Sequence, residues 1–203
     1  MPRHHTLSSA TVHHAWDKSI PPMLTIDSGD RVTFACRNAA DMAFTLDSTI
    51  ADYPRSFLGH PLTGPVWVNG AAPGDALEIE LLELTPGAVG WTVALPDAGL
   101  LAGDDFTPTL KVWDLTLDPT PFLPGIAIPQ EPFLGVMGVA LAEPGAHSTI
   151  PPRRNGGNVD TKQLTVGARL FLPVLVDGAL FLAATATPLR AMARSASRQS
   201  RRT

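Results

Sequence analysis

The sequence contains a single cysteine in 203 residues, which excludes a disulfide framework within the chain. Cys36 follows the mainly apolar residues 32–35. This position predicts a buried structural thiol rather than an exposed nucleophile.

Long apolar runs are also missing, since no stretch approaches the eighteen residues that would span a membrane. The amino terminus lacks the apolar core of a secretory leader, so we expect a cytoplasmic protein with no membrane partner. One tyrosine, eight phenylalanines and a net charge of −4 argue against a nucleic acid as partner.

A sustained helical period is absent as well, because 17 glycines and 20 prolines interrupt the apolar segments. Alternation of Leu77, Ile79 and Leu81 with Glu78 and Glu80 predicts a half-buried strand over 76–84. Further strands are predicted at 30–35, 66–68, 133–142 and 169–176, the last with Pro173 at an edge or a bulge. Many short strands between turns indicate a mainly β fold of the sandwich or barrel type.

Charge is distributed unevenly along the chain. Residues 184–203 contain five arginines and neither an acidic residue nor a glycine, whereas the preceding part contains all nineteen acidic residues. No linker separates the two parts. We therefore treat residues 184–203 as a separate basic tail.

Two clusters contain histidines suited to proton transfer or metal binding. Residues 13–17 combine His13 and His14 with Trp16 and Asp17, and a strand with surface His and Asp side chains is the alternative. His60 lies on backbone constrained by Gly59 and Pro61, which suits a positioned base or ligand as well as a surface loop. His4 and His5 are expected to belong to a frayed terminus.

Residues 155–160, with two adjacent glycines, form the strongest local candidate. Glycines permit close approach of the backbone. In an extended segment Asn158 and Asp160 would face the same side, where they could bind a hard metal ion or hold a water. An ordinary Asn-Gly turn in solvent is the alternative.

The order and spacing of several segments resemble the acetamidase/formamidase family. The matching segments are 14–22, 24–30, 60–71, 73–79, 132–140, 156–160 and 172–181. They are distributed over nearly all of residues 13–183, which we take as a β-rich domain preceded by an amino-terminal extension (1–12). The resemblance implies a β-rich fold, incomplete here at the carboxyl terminus, and a hydrolase that acts on carbon–nitrogen bonds other than peptide bonds, converting formamide or acetamide to the acid and ammonia.

The resemblance also assigns site residues. Asp160, Asn158 and His60 become catalytic candidates, and Trp16, Asp17 and Gly157 become substrate-binding candidates. It implies a divalent metal ion, such as zinc, with Asp160 and His60 as ligands. The implied partners are a small amide substrate and, in intact members, further copies of the same chain.

The family pattern stops at the basic tail. Members continue with a motif close to GDxHAAxGDGE, but this chain reads ATATPLRAMARS from Ala184 to Ser195. One choice of synonymous codons for these residues, preceded by one G, translates as GDCHAAQGDGE. We therefore hypothesise a single-base deletion near the codon for Ala184, with a genuine basic tail as the alternative.

A change of frame would remove the Asp, His and Glu groups of that motif. It would leave sheet edges unpaired and apolar faces uncovered, so the 203-residue chain is expected to have low solubility and little or no activity. A non-catalytic β-sandwich module whose tail binds an acidic partner is one alternative. A short but complete amidase is another.

Overall fold

The computed structural model describes residues 1–41, 43–54, 56–99 and 101–187, and these form two compact units. Unit 1 contains residues 1–41, 56–85 and 133–187; unit 2 contains residues 43–54, 86–99 and 101–132. Within the described residues there is no α-helix, and no helix is long and apolar enough to cross a membrane. The mainly β fold class predicted from the sequence is confirmed.

Fifteen strands and one turn of 3₁₀ helix make up the described part of the chain. The strands of unit 1 are β1 (His4–Leu7), β2 (Ala15–Trp16), β3 (Leu24–Ile26), β4 (Arg31–Phe34), β5 (Thr63–Val68), β6 (Ala76–Glu80), β11 (Phe133–Gly138), β12 (His147–Ser148), β13 (Gly156–Asn158), β14 (Arg169–Pro173) and β15 (Phe181–Thr187). Unit 2 contains the 3₁₀ turn (Ile50–Asp52) and the strands β7 (Val89–Ala94), β8 (Thr109–Asp114), β9 (Thr120–Leu123) and β10 (Ile126–Ile128).

A mixed five-stranded sheet in the order β13–β11–β15–β5–β3 forms the centre of unit 1. Its strand pairs are antiparallel except for β3 and β5, which run parallel. Three two-stranded sheets complete the unit: β1 with β4, β2 with β12 and β6 with β14. Unit 2 consists of the antiparallel pairs β7–β8 and β9–β10.

The central sheet is covered on both faces, because successive side chains of a strand point to opposite sides. Alternate residues of β11 and β15 enter two different apolar clusters: Met137, Phe181 and Ala183 in the first, and Val136, Leu182 and Ala184 in the second. The first cluster also contains Leu172 and Val174, with Leu77 and Ile79 packed against it. The second contains Trp16 and Leu62 and is the face on which the candidate residues gather.

The strands predicted from the sequence lie at the observed positions, but several of them were predicted to be longer than they are. The strand predicted over 76–84 ends at Glu80, although the inward spacing continues to the buried Leu81. Pro173 is the last residue of β14, a strand of a two-stranded sheet, where a missing N–H donor is tolerated. The division at residues 12 and 183 remains a prediction.

The frayed amino terminus is a wrong prediction, because His4 and His5 lie in β1, which pairs with β4 in parallel. Asp30 holds this pair together. Its carboxylate accepts hydrogen bonds from the Arg3 N–H (2.8 Å), the Arg3 guanidinium (3.1 Å) and His5 Nε2 (3.1 Å). The hydrogen bond from the Arg3 backbone is the largest of the effects that hold the pKa of Asp30 well below its usual range.

Replacing Asp30 by asparagine should therefore lower the Tm at neutral pH. A carboxyl with a lowered pKa in the folded state stabilises the fold above about pH 4, its ordinary pKa, and loses that contribution as pH falls through the folded-state value. The Tm difference between the parent and Asp30→Asn should narrow at acidic pH. Thermal unfolding at both pH values measures it, and Asp47→Asn, on an exposed turn, is the control. A difference that stays constant down to about pH 2 would contradict the assignment.

Cys36 also departs from the prediction, since the residue is exposed rather than buried. Its Sγ nevertheless lies 3.8 Å from the Phe34 carbonyl oxygen and 3.9 Å from that of Ala183. Desolvation of the sulfur raises the pKa of the thiol to about 11. A thiol with such a pKa is a poor nucleophile, so the proposed inert role of Cys36 survives although its predicted burial does not.

Unit 1 exposes several large apolar side chains, and the low solubility predicted for the chain depends on surface of this kind. Apart from the terminal Met1 (118%), the most exposed are Leu58 (77%), Phe171 (60%), Val166 (55%) and Leu82 (51%). Phe171 stands on β14 with neighbours Arg169 and Glu78, which form a 3.0 Å ion pair. Low solubility stays a prediction.

Candidate active site

Trp16 is the centre of the candidate site and is completely buried. It lies on β2, where it pairs with His147 of β12. Its indole ring packs against two glycines. A Cβ atom on Gly138 would lie 3.0 Å from Trp16 Cη2, and one on Gly157 would lie 3.8 Å from Cζ2. Gly138 therefore leaves the space that the indole occupies.

Asn155 fixes the segment that carries the two adjacent glycines. Its side-chain Nδ2 donates to the Val139 carbonyl oxygen at 2.7 Å, and its backbone carbonyl oxygen accepts from the Val139 N–H at 3.1 Å. A Cβ on Gly156 would approach the Met137 carbonyl oxygen to 2.6 Å, at a φ of 91°. Only glycine fits this position, so the unusual backbone expected of residues 155–158 is present.

His60 is buried, with 5% of its surface exposed, so the surface-loop alternative is wrong. Its backbone N–H donates to Thr149 Oγ1 at 2.6 Å. Its ring Nδ1 lies 3.3 Å from the Thr149 carbonyl oxygen. The ring also meets Phe57 edge to face, with 5.2 Å between centroids. Thr149 thus holds both the backbone and the ring of His60, and Phe57 packs against the ring.

The histidines of residues 13 and 14 hold the other side of this segment. His13 pairs with Leu62 through two backbone hydrogen bonds of 3.0 and 2.8 Å. Burial lowers the pKa of His13. His14 Nδ1 lies 3.1 Å from the Gly59 carbonyl oxygen, and its Nε2 lies 3.7 Å from Asp41 Oδ2. Residues 59–62 therefore run between 13–14 on one side and Thr149 on the other.

Asp17 serves its own turn. Its Oδ1 accepts from the Ser19 N–H at 2.8 Å and from the Ser19 hydroxyl at 2.7 Å. The backbone hydrogen bond is the main cause of a lowered pKa for Asp17. The hydrogen bonds described for the Asp17 carboxylate are therefore local, although Asp17 directly follows Trp16 in the chain. Its assignment to substrate binding stays a prediction.

Asn158 and Asp160 do not occupy one extended segment, so that premise is wrong. β13 ends at Asn158, Val159 N–H donates to the Gly157 carbonyl oxygen at 2.9 Å, and Asp160 has a φ of 42°. The chain turns between the two residues. Asn158 Nδ2 donates to the Ile150 carbonyl oxygen at 3.1 Å, and the Asp160 N–H donates to that of Gly135 at 3.1 Å. Their catalytic roles stay predictions.

Two buried polar atoms, Trp16 Nε1 and Asn155 Oδ1, have no hydrogen-bond partner among the described residues. One is a donor and the other an acceptor. A buried polar group without a partner costs about 1–3 kcal/mol, so each such group needs a physical explanation, such as a bound water or a functional role. Both belong to the segments that surround the Trp16 indole.

The described residues do not fit the implied metal ion. Zinc in proteins has four protein ligands, or three and a water, drawn from His, Cys, Asp and Glu. Among residues 1–41, 43–54, 56–99 and 101–187, no group of three such side chains is placed to hold an ion. His60 and Asp160 would supply at most two ligands. We therefore derive no chemical step through a metal.

Neither Thr149 nor the contact of His14 with the Gly59 carbonyl oxygen could be identified from the sequence. Thr149 is completely buried and lies 89 positions from His60 in the chain. Nothing in its immediate neighbourhood marks it as a site residue. Gly59 did give a signal, since a Cβ there would come within 2.7 Å of Thr149 Oγ1 and 3.0 Å of the His14 carbonyl oxygen.

Comparison with known families gives a match over most of the chain. The model of the Acetamidase/Formamidase family matches residues 2–144 and 141–184. The second segment ends at the residue near which the sequence predicts a change of frame.

Individual relatives agree. The chain is 27% identical over 236 aligned positions to an acetamidase of Mycolicibacterium smegmatis, and 25% identical over 230 to a formamidase of Methylophilus methylotrophus, each alignment covering 83% of the chain. A crystal structure of an acetamidase from Bacillus halodurans superposes with a TM-score of 0.82 at 31% identity over 89% of the chain.

These relatives are longer than the chain. It spans 57% of the Mycolicibacterium acetamidase, 56% of the Methylophilus formamidase and 61% of the Bacillus structure. The expectation that the fold is incomplete at the carboxyl terminus is consistent with this coverage.

Proposed function

Because the chain belongs to the acetamidase/formamidase family, we propose that its site is that of an amidohydrolase for short linear amides such as formamide and acetamide. The products are the carboxylate and ammonia. The observation that supports this most directly is the arrangement of His60 and Trp16. Both are buried and attached to the same two segments, residues 13–16 and 147–149.

In the proposed reaction His60 acts as the general base. Its imidazole takes a proton from water while the water oxygen attacks the amide carbon, and the tetrahedral intermediate forms. The proton then passes to the leaving nitrogen, the carbon–nitrogen bond breaks, and ammonia leaves instead of the far more basic amide ion. Positioned bases of this kind contribute about 10²- to 10⁴-fold to rate.

Substrate size is the second element of the proposal. The Trp16 indole lies against the backbone of Gly138 and Gly157, and the amides proposed as substrates, formamide and acetamide, are small. Trp16 Nε1 and Asn155 Oδ1 together offer one donor and one acceptor. A primary amide needs one of each, for its carbonyl oxygen and its NH₂ group.

We propose that the Asp, His and Glu residues of the GDxHAAxGDGE motif complete the site, and that they are encoded in the shifted frame. The divalent metal, the cytoplasmic location and the assembly into homo-oligomers remain predictions, as does the absence of nucleic-acid and membrane partners. The alternative of a binding module depends on the basic tail, of which residues 188–203 lie outside the described part.

Release of ammonia tests the proposal. We compare the 203-residue chain with the frame-restored chain, which is the product of the gene with one base added before the Ala184 codon and translated onward in that frame. Formamide and acetamide are supplied with and without zinc. The frame-restored chain should release ammonia at least about 100-fold faster, since removal of several catalytic groups costs at least as much as one. Equal activity would show that the short chain is a complete amidase, and no activity in either would refute the proposed function.

A further inference from the structure

Thr149 makes two separate contacts with His60, one through its hydroxyl group and one through its backbone carbonyl oxygen. The hydroxyl Oγ1 accepts the His60 backbone N–H at 2.6 Å. The carbonyl oxygen lies 3.3 Å from His60 Nδ1, slightly beyond the usual range of about 2.7–3.2 Å for an N–H···O hydrogen bond. Thr149 itself is completely buried, so water does not compete for these contacts.

The second contact determines where the ring carries its hydrogen. A carbonyl oxygen can only accept, so Nδ1 must be the donor. A neutral imidazole has one N–H, and with that hydrogen on Nδ1 the lone pair lies on Nε2.

We propose that Thr149 is a positioning residue that holds His60 in the Nδ1–H tautomer and thereby presents the Nε2 lone pair as the base. The inference deepens the proposed function and rests on it for the role of Nε2. The hydroxyl of Thr149 places the backbone of residues 59–60, and the carbonyl oxygen selects the tautomer. Gly59 allows the close approach, because any Cβ there would collide with Thr149 Oγ1 at 2.7 Å.

The tautomer can be read without any enzymatic activity. Nitrogen-15 NMR of the chain labelled in its imidazole nitrogens distinguishes a ring nitrogen that carries hydrogen from one that carries a lone pair. Spectra are recorded at about pH 9, where histidine is neutral. Solid-state spectra of the sedimented chain report the same nitrogens. The His60 signals are those that disappear in His60→Gln.

In the parent chain His60 should be mostly in the Nδ1–H form, because a net hydrogen bond available to one form alone biases the ratio by about three- to tenfold. His5 provides an internal reference of the opposite kind. Its Nε2 lies 3.1 Å from the Asp30 carboxylate, an acceptor, so it should carry hydrogen at Nε2. A parent chain with His60 protonated at Nε2 would overturn the proposal.

Two variants separate positioning from simple packing. Thr149→Val keeps the branched shape but removes the Oγ1 acceptor of the His60 backbone N–H. The His60 ring should then be held less closely against the Thr149 carbonyl oxygen, and its tautomer ratio should shift away from Nδ1–H. Thr149→Ser keeps the acceptor and should restore the parent ratio. An unchanged ratio in Thr149→Val, or a shifted one in Thr149→Ser, would refute the role of the hydroxyl.

Failure of this inference and failure of the proposed function are distinguishable. If His60 is in the Nδ1–H form and responds to Thr149 as expected, but the frame-restored chain releases no ammonia, the positioning stands and the amidase proposal falls. If ammonia is released while His60 is in the other tautomer, the amidase proposal stands and the inference falls.

Discussion

Replacing His60 by asparagine is expected to lower kcat/KM for formamide by about 10²- to 10⁴-fold in the frame-restored chain, the range for loss of a general base. Asparagine is the informative substitution, because its Nδ2 takes the place of His Nδ1 and can still donate to the Thr149 carbonyl oxygen. The base is lost while the buried contact is kept.

The stability of His60→Asn should therefore change much less than its rate. We expect its free energy of unfolding to fall by no more than about 2 kcal/mol, within the ordinary range for a single substitution. His4→Asn, on the remote strand β1, is the matched control and should retain the parent rate. A His60→Asn protein with at least half of the parent kcat/KM would show that His60 is not the base.

Replacing Trp16 by alanine is expected to lower the free energy of unfolding of unit 1 by about 3–5 kcal/mol, the range for deletion of a buried aromatic side chain. Trp16 is completely buried and belongs to the cluster formed by Leu62, Val136 and Leu182. The glycines that receive its ring cannot move in to fill the space, because Gly138 is fixed in β11. The cavity would persist, and its cost with it.

Trp16→Phe is the matched control for this experiment. It keeps an aromatic ring and removes Nε1, a buried donor without a partner among the described residues. Loss of such an atom carries no hydrogen-bond penalty, so Trp16→Phe should cost less than half as much as Trp16→Ala. Urea unfolding of both variants measures the difference. Equal losses, or a loss below about 1 kcal/mol for Trp16→Ala, would contradict the packing described here.

Gly138→Ala approaches the same contact from the other side. The added methyl group would lie 2.7 Å from the Asn155 carbonyl oxygen and 3.0 Å from both Gly157 N and Trp16 Cη2. Two of these neighbours are backbone atoms and cannot rotate away. Overpacking of this kind costs about 1–3 kcal/mol. The stability loss should thus be smaller than that of Trp16→Ala.

Local pattern sufficed to predict five strands, β4, β5, β6, β11 and β14, but not where these strands begin and end. Alternation of apolar and acidic residues gave β6 because the strand has one buried and one wet face. The continuous apolar stretch gave β11 because both of its faces are covered. His4 and His5 were misjudged because what orders β1 is Asp30, an ion-pair partner 25 or more positions away.

The candidate site shows the same limit. His60, Trp16 and the paired glycines were found from residue type and neighbours. Thr149 could not be found, since its importance comes from contacts across 89 positions. Asp160 was found but misplaced, because its left-handed backbone breaks the extended geometry assumed for it.

The interpretation of the carboxyl-terminal residues depends on whether one base is missing near the Ala184 codon. β15 continues in the structure to Thr187, beyond the predicted change of frame at Ala184, where Leu134 pairs with Ala186 and Phe133 with Thr187. Backbone pairing requires no particular side chains, so a short out-of-frame stretch can extend a strand. The family match ends at residue 184.

The nucleotide sequence through and beyond the Ala184 codon shows whether residues 13–183 are part of an amidase whose remaining catalytic groups lie in the shifted frame. We predict codons that read GDCHAAQGDGE after insertion of one G. An open frame should follow that is long enough to bring the chain to the length of its relatives. Codons for residues 184–195 that cannot yield that motif, or an early stop in the shifted frame, would contradict it.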